Sequence, residues 1–505
     1  MSHKRRFSTI ITIAVMVSLS VSLAPAQTRP ALAAAGKTII YNLYATDGWQ
    51  TLADGTTLYT YGFVGGRQGV PLTFAKSSHD GKPAGNITMP NGAPAPTPGA
   101  MTTEEAKMAG NAQFPAPVIY AAVGDVVEIR LKNLGVMNPD APNDPHSIHL
   151  HGMDVDAAND GVPETSIGAV PISQEVDNDA DDIAPGAGNV VVYMFTPKYP
   201  GTYMYHCHQE ADIHVQMGMY GALVVYNPDD PAAATGPGTG KGGTLFGWHY
   251  DRDYVLLLSE VDVDQHTSEE NSLNPGFNPV DYKPQYWFIN GLSFPNTIHV
   301  GLNWNDWIAS HPNYDPFIVG SIGLKHANTN ITNGEKVLIR MINMGFETQP
   351  MHMHGFHGKI IGSDQRAWTW ANDPTKTASG QGLEKNTVTI GSGETYEWLV
   401  DFGQQSMSSA TYAPASNGMP ASVFPGGSET RYNAKGPTSN TSSDPVIPVP
   451  GKDPVVTYIG GPKVTGAVGL PTQGQLFPFH NHDDYKATND GDYPGGMFTM
   501  LMTIP

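Results

Sequence analysis

Apolar residues in this chain come in short runs, alternating or β-branched, with Gly, Pro, Asn or Asp between them; Val126-Val127-Glu128-Ile129-Arg130-Leu131, Val190-Val191-Val192-Tyr193-Met194-Phe195 and Ala222-Leu223-Val224-Val225-Tyr226 are examples. Successive residues of a strand face opposite sides, so such runs suit sheets with one or both faces buried, and the longer recurrence of an amphipathic helix is missing. A chain of this pattern closes its cores with sheets, as a sandwich or a barrel. The 56 Gly and 42 Pro among 505 residues supply the turns,.

Composition narrows the function classes. With 47 Asp+Glu against 27 Lys+Arg the formal charge is −20, which disfavours nucleic acid and other polyanions as partners,. There is one cysteine, Cys207, so no disulfide can form within the chain, and the thiol is inert, a metal ligand or a nucleophile,.

The N-terminus opens with Lys4-Arg5-Arg6, runs apolar from about Ile10 to Leu23, and offers small-residue sites at Ala24-Pro25-Ala26 and Ala31-Leu32-Ala33. This pattern predicts a cleaved secretory signal over residues 1–35, and Arg5-Arg6-Phe7 points toward twin-arginine export,. The run is shorter than a spanning helix needs, and no later segment is apolar enough to cross a bilayer. The mature protein is expected to be exported: periplasmic, secreted or held at the cell surface.

Beyond the leader the motifs repeat. Gly124-Asp125-Val126-Val127, His149-Leu150-His151-Gly152 and Tyr205-His206-Cys207-His208 are followed by Gly334-Glu335-Lys336-Val337, His352-Met353-His354-Gly355 and Phe479-His480-Asn481-His482. Duplication of one β-domain accounts for this order. The Pro/Gly-rich stretch NPDDPAAATGPGTGKGGT separates the copies, giving a first domain at 36–230, a linker at 231–247 and a second domain at 248–505,. Residues 403–475, rich in Gly, Pro, Ser, Thr and Asn, read as an insertion in the second domain, a surface loop or lid,.

Four His-x-His pairs carry the chemistry. Residues two apart on a strand share a side, so each pair presents two imidazoles to one region, and four pairs in equivalent places can converge on one metal site. Imidazole alone does not select the metal; Cys207 does. Two His, one Cys and a distant Met form the donor set of a blue-copper electron-transfer centre, here His146, Cys207, His214 and Met219, with Met217 competing for the axial place,. His206 and His208, the chain neighbours of Cys207, point away from it and are free to hold other coppers.

These motifs resemble those of the multicopper oxidase family, the laccases, ferroxidases and ascorbate oxidase, over roughly residues 115–226 and 285–505. The turn Asp160-Gly161-Val162-Pro163 and Ile289-Asn290-Gly291 with Phe294-Pro295 are similar to family features too. The resemblance implies two cupredoxin-like Greek-key β-sandwich domains and four coppers per chain. It places His149 and His352 on the type 2 copper, and His151, His206, His208, His354, His480 and His482 on the type 3 pair. Asp160 resembles the family's proton-delivering aspartate, with Asp483 and Asp484 as weaker candidates. In three-domain laccases the blue copper sits in the last domain. Here Gln349 stands three residues before His352 where a ligand His is expected, and Asn481 replaces the Cys, so the blue site falls in the first half. The chain thus resembles two-domain members that assemble as homotrimers, with the three-copper cluster between one chain's first domain and its neighbour's second.

The expected reaction is one-electron oxidation of a small reductant, a phenolic or aromatic donor or a metal ion, coupled to four-electron reduction of O₂ to water. Acidic residues near the expected entry point, Asp140, Asp144, Glu210, Asp212, Glu175, Asp177, Asp179, Asp181 and Asp182, suit a cationic donor, or are ordinary solvated loops,. Two other functions fit parts of the pattern. A copper nitrite reductase also has two domains and a first-domain blue copper but needs fewer histidines, and an electron-carrier cupredoxin needs only the Cys207 site.

Overall fold

In the computed structural model, the described residues are 36–72, 101–172, 190–273, 275–294, 296–298, 318–321, 334–368, 383–404 and 475–504. The leader at 1–35, nearly all of the 403–475 insertion and the acidic stretch from Glu175 to Asp182 lie outside them. Among the described residues no helix is long and apolar enough to cross a membrane.

Among the described residues the first half has eight strands: β1 (Thr38–Thr51), β2 (Thr57–Arg67), β3 (Ala116–Ala122), β4 (Val126–Gly135), β5 (His149–His151), β6 (Val190–Phe195), β7 (Gly201–His206) and β8 (Tyr220–Tyr226). They form two four-stranded sheets, in the orders β2-β1-β4-β6 and β3-β8-β7-β5. β1 runs parallel to β4 and β3 parallel to β8, while the other neighbours are antiparallel. Non-consecutive neighbours of this kind mark a Greek-key sandwich, not a meander. Alternation sets the filling between the sheets: Val127, Ile129 and Leu131 of β4 face inward against Tyr41, Leu43, Tyr205 and Leu223.

The second half repeats the plan. Arg252–Val261 lies parallel to Lys336–Asn343, which pairs antiparallel with Thr395–Asp401. In the facing sheet Ile318–Ser321 lies parallel to Phe498–Ile504, next to Gln475–Asn481 and then Gln349–Met353. The duplication reaches the register: His149 is paired with His206 in the first half, and His352 with His480 in the second. The all-β expectation of two cupredoxin-like sandwiches holds.

Each sandwich has its own core, and a third apolar cluster runs between them, joining Met204, Tyr220 and Val224 to Val255, Leu257, Phe288 and Ile342. Residues read as a linker are packed into the body. Pro231–Ala234 forms a 3₁₀ turn with Ala232 fully buried, and Gly243–Leu245 pairs with Trp248–Tyr250. A Pro/Gly-rich composition reports turns, and this turn follows the protein surface with Ala232 turned inward and Pro231 and Ala234 exposed,.

Candidate metal centre

β5 and β7 lie side by side and carry three of the four histidines of the first-half His-x-His pairs, and the fourth, His208, follows just past the end of β7. Leu150 is buried in the core, so alternation turns His149 and His151 to the opposite side of the sheet. Past the end of β7 the chain turns Cys207 into the core, fully buried, while His206 and His208 face the β5 histidines. One strand end thus serves two sites.

At the first site the Cys207 sulfur lies 3.5 Å from Nδ1 of His214 and 3.8 Å from Nδ1 of His146. The three donor atoms fall within 4.8 Å of one another. All three residues are buried, and the Ser147 amide donates to the sulfur at 3.4 Å. Tyr61 packs its ring against both imidazoles, at 6.1 and 5.8 Å between centroids. Burial pushes the thiol up to about 11 and holds His214 down to about 4, with His146 also well below the ordinary histidine range. The imidazoles are therefore neutral with free lone pairs, and the thiol needs a cation beside it to ionise at neutral pH. Met217 and Met219 are both fully buried in the same cluster.

The other histidines form two quartets. In the first, the rings of His149, His151, His206 and His208 lie 5.0 to 5.8 Å apart between contacting pairs; in the second, His352, His354, His480 and His482 are 4.9 to 5.9 Å apart. Backbone carbonyls fix several tautomers. Nδ1 of His149 faces the Asp160 carbonyl at 2.8 Å, Nδ1 of His206 the Cys207 carbonyl at 2.8 Å, Nδ1 of His352 the Asn386 carbonyl at 2.9 Å, and Nδ1 of His480 the Asn481 carbonyl at 2.8 Å. A ring that donates from Nδ1 keeps Nε2 free for a metal, which is the usual second-layer device around a ligand histidine. Nε2 of His354 and Nε2 of His480 face one another at 3.2 Å. Among the described residues no ring contact joins the two quartets.

The second half keeps the frame of the Cys207 site and changes its contents. The Cys207 amide donates to the Met219 carbonyl at 2.9 Å, and the Asn481 amide donates to the Met497 carbonyl at the same distance. Met219 and Met497 are thus equivalent, each just ahead of a closing strand. In the second half the Asn481 Nδ2 reaches the Met497 sulfur at 3.4 Å and donates to Gln349 Oε1 at 2.7 Å; Gln349 donates in turn to Glu260 at 2.7 Å. A chain of amides fills the space that sulfur and imidazoles fill in the first half.

Asp160 stands where the turn brings it back to β5, its carboxylate 3.3 Å from His149 Nδ1. Asp483 is paired with Lys486 at 3.3 Å. A group that sequence reasoning missed lies behind β7. The Thr202 amide donates to Glu397 at 3.0 Å, its carbonyl accepts from Gln365, and Arg340, wholly buried, is paired with Asp253 at 2.7 Å and reaches the Thr202 hydroxyl. These are second-half residues gripping the strand that ends in His206 and Cys207. Burial raises Glu397 to about 7. No local motif announces such a group; only the run of charged residues inside otherwise apolar strands, Arg340 and Glu397, hinted at it.

Buried sulfur with two imidazoles suits copper, and imidazoles with fixed tautomers suit further copper or similar ions. Fold and donor set together define the class as a cupredoxin-like copper protein. Residues 90–229 and 312–406 match the family model described as multicopper oxidase. The chain is 26% identical over 246 residues to copper resistance protein A of Escherichia coli, covering 46% of this chain and 34% of that protein. It is 30% identical over 194 residues to an L-ascorbate oxidase of Nicotiana tabacum, covering 37% of this chain and 27% of that protein. The matches thus span about a third or less of these relatives' length. The structure is also similar to a blue copper oxidase of Nitrosomonas europaea, with a TM-score of 0.49, 19% identity, and coverage of 92% of this chain and 86% of that one. Both halves of the chain thus carry segments that match the multicopper oxidase family model, and the chain is similar to members of that family.

Proposed function

We propose that the protein is an exported oxidase that takes single electrons from a small reductant at the Cys207 site and delivers them, four at a time, to O₂ at a three-copper cluster. The observation that carries this reading is the shared end of β7, where one buried sulfur sits between two histidines of a quartet whose register is repeated in the second half. Copper bound at these sites supplies one-electron transfer at the sulfur and the binding and reduction of O₂ at the histidines.

In this reading His146, Cys207, His214 and Met219 hold the first copper. Duplication favours Met219 over Met217, because its counterpart Met497 turns its sulfur toward the residue in the place of Cys207. His149 and His352 hold the type 2 ion, and His151, His206, His208, His354, His480 and His482 the type 3 pair. The peptide of Cys207 connects sulfur to imidazole covalently, so no gap has to be crossed within the chain. Reducing O₂ to two waters consumes four protons, and the Asp160 carboxylate, against His149, is placed to hold and pass them,.

The two quartets share no ring contact among the described residues, and association of chains would bring one chain's first quartet to its neighbour's second. Two different faces brought together head to tail close into a ring when the rotation between copies closes, and a homotrimer is such a ring. The charge of −20 argues against nucleic-acid partners,.

Copper per chain, measured with the optical spectrum and the mass of the assembly, tests the proposal. Four coppers, blue absorption, a near-ultraviolet shoulder from a coupled pair, and a trimer are expected. One or two coppers without that shoulder would overturn the cluster and favour nitrite reduction or electron carriage.

A further inference from the structure

The loop that joins two of the Cys207-site donors is held from the other half of the molecule. Val215 to Gly218 lie between His214 and Met219, and Gln216 among them is buried. Its side-chain Oε1 accepts from the Asp262 amide at 3.1 Å, and its Nε2 donates to the Tyr282 hydroxyl at 3.0 Å. Its backbone carbonyl faces Nε2 of His266 at 3.1 Å, and Nδ1 of the same ring faces the Tyr59 carbonyl of β2. Burial holds His266 down to about 4, so at neutral pH the ring is uncharged, donates to one carbonyl and packs against the other,. Just before the loop, the Asp212 carbonyl accepts from Gln265 at 3.1 Å. Asp262, Gln265, His266 and Tyr282 all belong to the second half. Gln265 and His266 lie on the helix Val263–Glu270, which also brings Glu269 within electrostatic reach of Asp144, Glu210 and Asp212.

We infer that Tyr282 and His266 are positioning residues of the Cys207 site: from the second half they hold Gln216 in place, and through it the Met219 sulfur. The inference rests on copper at Cys207 as proposed above. Two observations carry it. Gln216 stands three residues before Met219, and both polar atoms of its side chain find their partners in the second half. The hold is itself anchored, because the Tyr282 hydroxyl donates on to Glu260 at 3.1 Å. Glu260 also accepts from the Phe346 and Glu347 amides and from Gln349 at 2.7 Å, and Gln349 accepts from Asn481. The amide chain that fills the second half's equivalent pocket is thus the footing of the first half's loop. A blue-copper potential is tuned by its axial ligand and by the groups that orient the ligands, and a loop this short passes a shift of Gln216 to the methionine at its end.

The test uses the full-length copper-loaded protein and reads copper per chain, blue absorption, reduction potential and thermal unfolding. Tyr282→Phe removes one oxygen and with it both bonds; His266→Leu removes the ring nitrogens. Each variant is expected to keep its copper while the blue absorption shifts and the potential rises, in the direction of Met219→Leu and by less. His266→Gln, which returns N–H donors, is expected to bring both values back toward the parent. In M219L, adding Tyr282→Phe is expected to leave absorption and potential where M219L alone puts them, since the side chain being positioned is gone. Either Tyr282→Phe or His266→Leu decides the matter if the other folds poorly. A lower melting temperature with absorption and potential unchanged in the folded variants overturns the inference, as do equal shifts with and without Met219. A parent with no blue absorption overturns copper at Cys207 and this inference with it; a blue parent with silent variants overturns the inference alone.

Discussion

Replacing Glu397 by Gln should change how stability depends on pH more than it changes stability at any one pH. Glu397 is wholly buried, one oxygen accepts from the Thr202 amide, and the other has no partner. Burial is the main reason its carboxyl rises from 4.5 to about 7, with Arg340 pulling the other way. In the unfolded chain the group loses its proton near 4.5; in the folded protein it keeps the proton to about 7. Between these values the folded state binds more protons, so stability falls as pH rises through that window and levels off above it. At about 1.4 kcal/mol for each pH unit the loss amounts to about 3 kcal/mol, an upper figure because structural relaxation blunts it. A glutamine keeps the acceptor for Thr202 and cannot ionise. Urea unfolding of parent and E397Q at pH 5 and pH 8 measures the difference, in which other titrating groups cancel. The variant is expected to gain on the parent by about 2 to 3 kcal/mol between the two pH values. Parallel profiles would show that Glu397 is ionised in the fold and that Arg340 outweighs burial.

Three further outcomes follow from the sites. Cys207→Ser is expected to abolish the blue absorption and lower copper by one ion per chain while the near-ultraviolet shoulder remains; loss of all copper would argue against separate sites. Met219→Leu is expected to shift the blue absorption and raise the reduction potential, whereas Met217→Leu leaves both unchanged and costs less than about 1.5 kcal/mol in unfolding, as a volume-conserving swap does; the reverse pattern would move the axial role to Met217. Arg340→Met strands Asp253 in the interior and is expected to destabilise by about 3 to 5 kcal/mol in denaturant unfolding,; a neutral result would mean Asp253 takes up a proton instead.

Much of this molecule was legible because its logic is local. Period-two alternation around Leu150 announces both the strand and the shared side of His149 and His151, and the same holds for Met353 between His352 and His354. Duplicated motifs carried the two sandwiches, since a repeated order of strands and histidines leaves few other architectures. Contacts between distant segments were not legible. Glu397 reaching Thr202, 195 positions away, depends on how two sandwiches pack, and no spacing rule encodes that. The same limit hid Glu269, whose proximity to Asp144 and Glu210 exists only because a second-half helix lies over the first-half metal loop. The equivalence of Met219 and Met497 was within reach of sequence, since each precedes its closing strand, but the unequal spacing from Cys207 and Asn481 obscured it until the matching backbone bonds gave the register.

The amide-filled pocket of the second half bears on how the protein matures. Asn481, Gln349 and Glu260 satisfy one another, so that half reaches its final packing around its core with no ion in the equivalent position. The first half buries a protonated thiol beside imidazole nitrogens, one of them without a partner, and gains the free energy of copper binding only when the ion arrives,. At this pair of equivalent positions, then, copper stabilises the first half alone. In a starved cell the newly made chain goes without that stabilisation at the Cys207 position, while the Asn481 position needs none.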